Sequence, residues 1–162
     1  MQDFELSGIN LSLSNTVVVA TAAAATLATT NATVATVNGA FATALASGAG
    51  KALSLVGADG VTAKAAVPLP IGQCCAIVNC VNAAGQMKNI QGPLQSLDAS
   101  GVLVNPIAFP KVPDNLVPFS YLTVRAGATS SGFTPGVTNW DATGITTTVT
   151  NISALPSRPV YP

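Results

Sequence analysis

The sequence predicts an all-β chain: an antiparallel β-sandwich or jelly-roll-like domain with an extended N-terminal arm. Apolar and β-branched residues alternate with a period of two along most of the 162 residues. An Asn38-Gly39 pair stands between two such runs, and a type I′ hairpin turn needs φ > 0 at both central residues. Prolines at 106, 110, 113 and 118, and again at 156, 159 and 162, gather in segments that separate or end the runs. Residues 1–14 are read as the arm, and 15–162 as one β-rich domain ending in an extended proline-rich tail.

The elements follow in order. The arm carries Asp3 and Glu5 where a secretory leader would be basic, so the protein is expected to be made in the cytoplasm. The stretch 15–32, "NTVVVATAAAATLATTNA", is ambiguous: four alanines favour helix, whereas 17–19 and the threonines favour strand or extended arm. Its apolar part, 17–27, is about half the ~20 residues that span a bilayer. In 33–45 a two-residue turn at Asn38-Gly39 pairs Val37 with Ala40, Thr36 with Phe41 and Val34 with Thr43. Neither face of this hairpin carries a charge, so it is expected to be covered on both sides.

"SGAGKAL", 47–53, resembles a phosphate loop only superficially, because the spacing is wrong; it reads as a loop leaving the hairpin. Residues 52–67 repeat the hairpin scheme around Ala58-Asp59-Gly60. "QCCAIVNCV" and "MKNIQG" form a hairpin across 82–86. The proline-spaced 105–119 reads as an extended crossover, followed by a strand in "PFSYLTVRAG". The last strand is "GITTTVTNI", with Thr146, Thr148 and Thr150 on one face and Ile145, Thr147 and Val149 on the other.

Composition narrows the function. Charged residues are 7% of the chain, against roughly 25% in ordinary soluble domains, and the net charge is zero. A free monomer normally carries more charge, so much of the surface is expected to be covered in an assembly. Lys51, Lys64, Lys88, Lys111, Arg125 and Arg158 are dispersed, which argues against nucleic acid and membrane surfaces as partners. There is no histidine, so conventional Ser-His and Cys-His pairs are excluded. The acids of "ADG", "LDASG", "PDN" and "WDATG" sit in turn contexts, where carboxylates bond nearby amides. Cys74 and Cys80 share a strand face roughly 20 Å apart at ~3.3 Å per residue, too far for a disulfide, and Cys75 points the other way. All three are read as buried thiols, with no metal and no cofactor. The sequons at Asn10, Asn31 and Asn151 are uninformative in a chain so rich in Thr, Ser and Asn.

Three aromatic residues stand out as interface or ligand contacts: Trp140, the only tryptophan, Phe41 beside the hairpin turn, and Tyr161 in the tail. Trp140 between Asn139 and Asp141 has the makings of a sugar platform, although sealing a core edge or an interface is the commoner role of tryptophan.

The stretches "IVNCVNAAGQMKNIQGPLQSLDASG", "FPKVPDNLVPFSYLTVRAGAT" and "TNWDATGITTTVTNISALPSRP" together resemble small tailed-bacteriophage virion proteins of the head-decoration, cement or head-fibre type. The resemblance covers the C-terminal part of the chain, through the Phe109-Pro110-x-x-Pro113 segment, the strand ending at Gly127, and "LPSRP". It implies a β-rich subunit without catalytic residues, present in many copies on a virion, commonly as a trimer. The partners would be the major capsid protein or another virion protein, and further copies of itself. The alternative is a carbohydrate-binding fibre or adhesin module built on Trp140.

Overall fold

The computed structural model describes residues 11–152 apart from 13, 15 and 43. The described residues form eleven strands, every pairing between them antiparallel, and no helix. The chain is therefore all-β. A central sheet of five strands has the order β11–β10–β7–β8 and comprises β7 (Gln73–Asn82), β8 (Met87–Gln91), β9 (Gln95–Ser96), β10 (Leu116–Ala126) and β11 (Ile145–Asn151). β9 pairs with β7 beyond the end of β8. Two small sheets come from the N-terminal third. One joins β1 (Leu11–Ser12), β4 (Ala35–Val37) and β5 (Ala40–Phe41); the other joins β2 (Val18–Ala20), β3 (Leu27–Thr29) and β6 (Gly48–Lys51).

The layering follows from what each face of β7 has to bury. Its eight inner residues, Cys74 to Val81, are all buried, as expected for a strand covered on both sides. On one face Cys75, Ile77 and Val81 join Leu122 and Val124 of β10 and receive Val18, Leu27, Ala35, Val37 and Leu45 from the small sheets. On the other, Val78 and Cys80 pack with Val56, Ile90 and Leu116, and Val112 and Tyr121 close the edge. Each fully buried aliphatic side chain contributes about 1.5–3 kcal/mol, so the first and larger cluster dominates stability.

The proline-spaced crossover lies over the second face. Phe109 meets the Tyr121 ring edge-on at 4.8 Å. Gln95 donates to the Pro106 carbonyl and accepts from the Ala108 amide at 2.9 and 2.6 Å. The outer edge of β8 is covered too: Asn89 donates to the Ser54 carbonyl, and Val56 donates to the Asn89 carbonyl, in a parallel bridge.

A file of buried side chains runs across these strands. Asn79 donates to the Ser120 hydroxyl at 2.8 Å and accepts from the Asn89 amide at 2.7 Å, while Asn89 accepts from the Ser54 backbone at 2.8 Å. Asn79, Asn89 and Ser120 are wholly buried. Buried polar groups demand partners, and here one register alone supplies them.

Several expectations hold. The hairpin closes with Thr36 opposite Phe41 and Val37 opposite Ala40, and φ is 52° at Asn38 and 78° at Gly39. The hairpin of β7 and β8, the strand β10 and the terminal β11 lie where expected, with Thr146 and Thr148 on the exposed side of β11. The turn at Ala58-Asp59-Gly60 forms, closed by Gly60 donating to Gly57.

Others are corrected. The 33–45 hairpin is covered on one face only: Thr33, Ala35, Val37, Ala42 and Leu45 are buried, whereas Phe41 is 79% exposed. The bridge from Thr33 to Leu45 is one residue out of step with the turn end, and this brings Leu45 to the buried side. Thr43, expected opposite Val34, lies outside the described residues. Residues 48–51 form a strand, β6, rather than a loop. The ambiguous 17–30 resolves as the β2–β3 hairpin, because burying Val18 and Leu27 in the core outweighs alanine helix propensity. Of 52–67, a single bridge from Val56 to Ala63 is paired within the segment.

Pro118 stands inside the central strand β10. It is tolerated there because the β10–β11 ladder begins only at Ser120, and the register to β7 shifts between Pro118 and Ser120. Of the expected arm, 1–10 lies outside the described residues, and Leu11–Ser12 is already strand, paired with β4.

Candidate functional site

Trp140 lies on the loop before β11, where the chain turns back toward the β2–β3 hairpin. Its indole Nε1 donates to the Thr26 carbonyl at 2.8 Å, and its backbone N–H donates to the Ala24 carbonyl at 3.1 Å. The ring packs on Phe133 with centroids 5.2 Å apart, and only 3% of the residue is exposed. Next to it, Asp141 accepts the Ala23 amide at 2.8 Å, and Thr147 donates to the Trp140 carbonyl at 3.2 Å. This loop clips the Ala-rich turn, whose Ala23 sits at φ 53°, onto the central sheet.

A groove of about 400 Å³ opens beside the clip, lined by Ala20, Thr21, Ala22, Trp140, Asp141 and Thr146 among others. Trp140 contributes to this lining while only 3% of it is exposed. Trp140 pins the core, joined to the Thr26 carbonyl and packed within the larger hydrophobic cluster.

Phe41 takes the opposite position. It is carried on the two-residue strand β5 at the hairpin tip and points away from the core. Tyr161, the third aromatic singled out, lies outside the described residues, as does the tail from 153 onward. The structure thus separates Trp140 from Phe41 in role and brings neither to a shared site.

The three cysteines are free and buried. Burial pushes the Cys75 thiol up to about 12, against a smaller opposing effect of the Gln91 amide. Cys80 is pushed up by burial alone, and Cys74 is raised by burial with Arg125 opposing. Such thiols are inert, because the thiolate is the nucleophile and the metal ligand.

Two of the turn acids cap their loops. Asp98 accepts from the Ser100 and Val102 amides, both at 2.8 Å. Asp59 accepts from the Thr62 hydroxyl and from the Val61 and Thr62 amides, and these bonds, the hydroxyl's first, hold its carboxyl below the ordinary value. Among the described residues, no three His, Cys, Asp or Glu side chains stand close enough to hold a metal ion. No helix among the described residues is long and apolar enough to cross a membrane.

The surface carries several bulky apolar side chains that periodicity could not flag, because they sit on loops. Val137 is 75% exposed, Val61 69% and Val104 61%, all beyond the reach of either core. Comparison with protein-family models, with curated proteins and with solved structures found no match for this chain.

Proposed function

We propose that the protein is a structural subunit of a virus particle, of the capsid decoration or cement type, which stabilises the head by packing against neighbouring subunits. One observation carries the proposal: bulky apolar side chains project from the loops and the hairpin tip of a charge-poor, neutral β body. Phe41, Val137, Val61 and Val104 are its exposed points. A single exposed valine is ordinary, but here such residues stand on a chain with six basic and six acidic residues in all. The resemblance of the C-terminal sequence to small phage virion proteins points the same way. The partners are the major capsid protein or another virion protein, and further copies of this chain.

Mass spectrometry of purified particles, with copies counted against the capsid subunit, tests the proposal. A fixed, high copy number supports it. Absence from particles of a host that makes the protein would overturn it.

A further inference from the structure

Among the described residues, β2 and β11 are both edge strands, and residues of both line the groove beside Trp140. On the β2 side, Thr30 donates to the Val17 carbonyl and Thr21 donates to the Thr26 carbonyl. Val17, Val19 and Thr21 therefore turn their backbone groups to β3, and Val18 and Ala20 turn theirs away. On the β11 side, Gly127 donates to the Gly144 carbonyl and Ile152 donates to the Phe119 carbonyl. Thr146, Thr148 and Thr150 therefore bond to β10, and Thr147, Val149 and Asn151 face outward.

Side chains stand in for a missing strand at both ends of this gap. Asn151 Oδ1 accepts the Val18 amide and Asp141 Oδ2 accepts the Ala23 amide, each at 2.8 Å. Between them the backbone N–H and C=O groups of Ala20, Thr147 and Val149 have no partner among the described residues. The Thr21 hydroxyl, on the same lining, is buried without a partner as well. Asp141 is the only charged residue of the lining, and no Lys or Arg faces it there.

From this arrangement we propose that the groove is a peptide-binding site, in which an extended segment of another protein adds a strand between β2 and β11. The occupant is a polypeptide because an extended chain offers N–H and C=O groups along both of its edges at the strand repeat. It bonds to Ala20 on one side and to Thr147 and Val149 on the other, and so joins two sheets into one. Alternate side chains of the segment meet Ile145 and Trp140, and the others face solvent. The segment lacks proline, which would remove a ladder donor, and carries a Lys or Arg where it passes Asp141. This site is separate from the exposed apolar side chains behind the virion proposal, and it stands whether or not the protein belongs to a particle.

The test titrates the full chain with a fluorescent peptide, Lys-Val-Thr-Val-Thr-Val, and reads anisotropy together with amide proton exchange by NMR. Saturable binding is expected, with exchange slowed at Ala20, Thr147 and Val149. Methylating alternate backbone nitrogens of the peptide, along either edge, should abolish it. Asp141→Asn keeps an oxygen for the Ala23 amide and should weaken binding about two- to fivefold, the size of an exposed ion pair. The same change should leave a peptide with Gln in place of Lys unaffected. Ala22→Trp, at an exposed position of the lining, should fill the groove and block the peptide. If that variant misfolds, the methylated peptides decide the question on the unaltered chain. No binding at millimolar peptide would overturn the proposal, as would slowed exchange confined to other amides. Tolerance of methylation along one edge would overturn it too, because a strand between two neighbours needs both. Protection of the same three amides that grows with protein concentration, without peptide, would assign the groove to a second copy instead.

Discussion

Trp140 shows how much a single residue can be asked to hold. Its ring fills space against Phe133, and its Nε1 satisfies the Thr26 carbonyl on a turn more than a hundred positions earlier. Trp140→Phe keeps an aromatic ring and removes one of the two hydrogen bonds that the Thr26 carbonyl accepts. The Thr21 amide remains as its donor, so the change should cost about 0.5–1.5 kcal/mol. Trp140→Ala removes the packing as well and should cost about 3–5 kcal/mol. Urea denaturation followed by circular dichroism checks both, since the only tryptophan fluorophore is lost. A Phe variant as stable as the parent would mean the bond to Thr26 contributes nothing. The thiols make a second residue-scale prediction. Cys75 titrates near 12 when folded against 9.0 in the free side chain, so the unfolded chain gives up this proton first. Stability is therefore intact below about pH 9 and falls as pH rises toward the folded value, with Cys74 and Cys80 acting in the same direction. Urea midpoints across that range should slope downward, and the slope should shrink in a chain with all three cysteines changed to alanine. An equal slope in that chain would assign the effect to other groups. In the native protein none of the three should react with a thiol reagent until it is unfolded.

At the scale of the element, the buried file from Ser120 through Asn79 and Asn89 to Ser54 locks three strands and an edge segment in register. Asn79→Leu would leave the Ser120 hydroxyl and the Asn89 amide without partners, at about 1–3 kcal/mol for each orphaned group. Because Asn79 and Asn89 share a bond, Asn79→Leu and Asn89→Leu should cost less together than the sum of the two alone. A double-mutant cycle by denaturation measures this, and strict additivity would break the chain of coupling. Sequence reading found the regular elements well, because Asn38-Gly39 fixes its own turn and the runs in β7, β8, β10 and β11 are long enough to show their period. It failed where geometry departs from the period. The bulge at Phe119 places Val117 and Phe119 in the same core as Leu122, Val124 and Ala126, so alternation changes parity halfway along β10. The Gly-Ala-Gly-Lys of β6 has only one alanine methyl as apolar side chain, too little to show the period of a strand. The exposure of Phe41 was not legible, since a pattern of two tells which residues share a face and not what covers it. The burial of Trp140 had no local signal, because the groups that bury it lie on the far hairpin.

For the whole molecule, the shortage of charge governs behaviour in solution. Exposed ion pairs contribute about 0–1 kcal/mol each and are screened by salt, and this chain has few to lose. A homo-oligomer, with a trimer as the first expectation, should persist in molar sodium chloride and loosen in moderate guanidinium, which weakens apolar burial. Each stable contact should cover about 800 Å² per partner. Light scattering under the three conditions reads this directly, and a compact monomer in all of them would sink the assembly argument. The same body has a second property that follows from how its ends meet. Val18 bonds to the Asn151 side chain across 133 positions, and the sheets built from the first third rest on strands built from the last. During synthesis those early strands, two to four residues long, leave the ribosome with nothing to lie on. At about 5–20 residues per second, Val18, Leu27 and Val37 face water for several seconds until β10 and β11 emerge. These strands are thus sheltered only once the later ones are made, and the hazard of aggregation falls on the unfinished chain rather than on the finished protein.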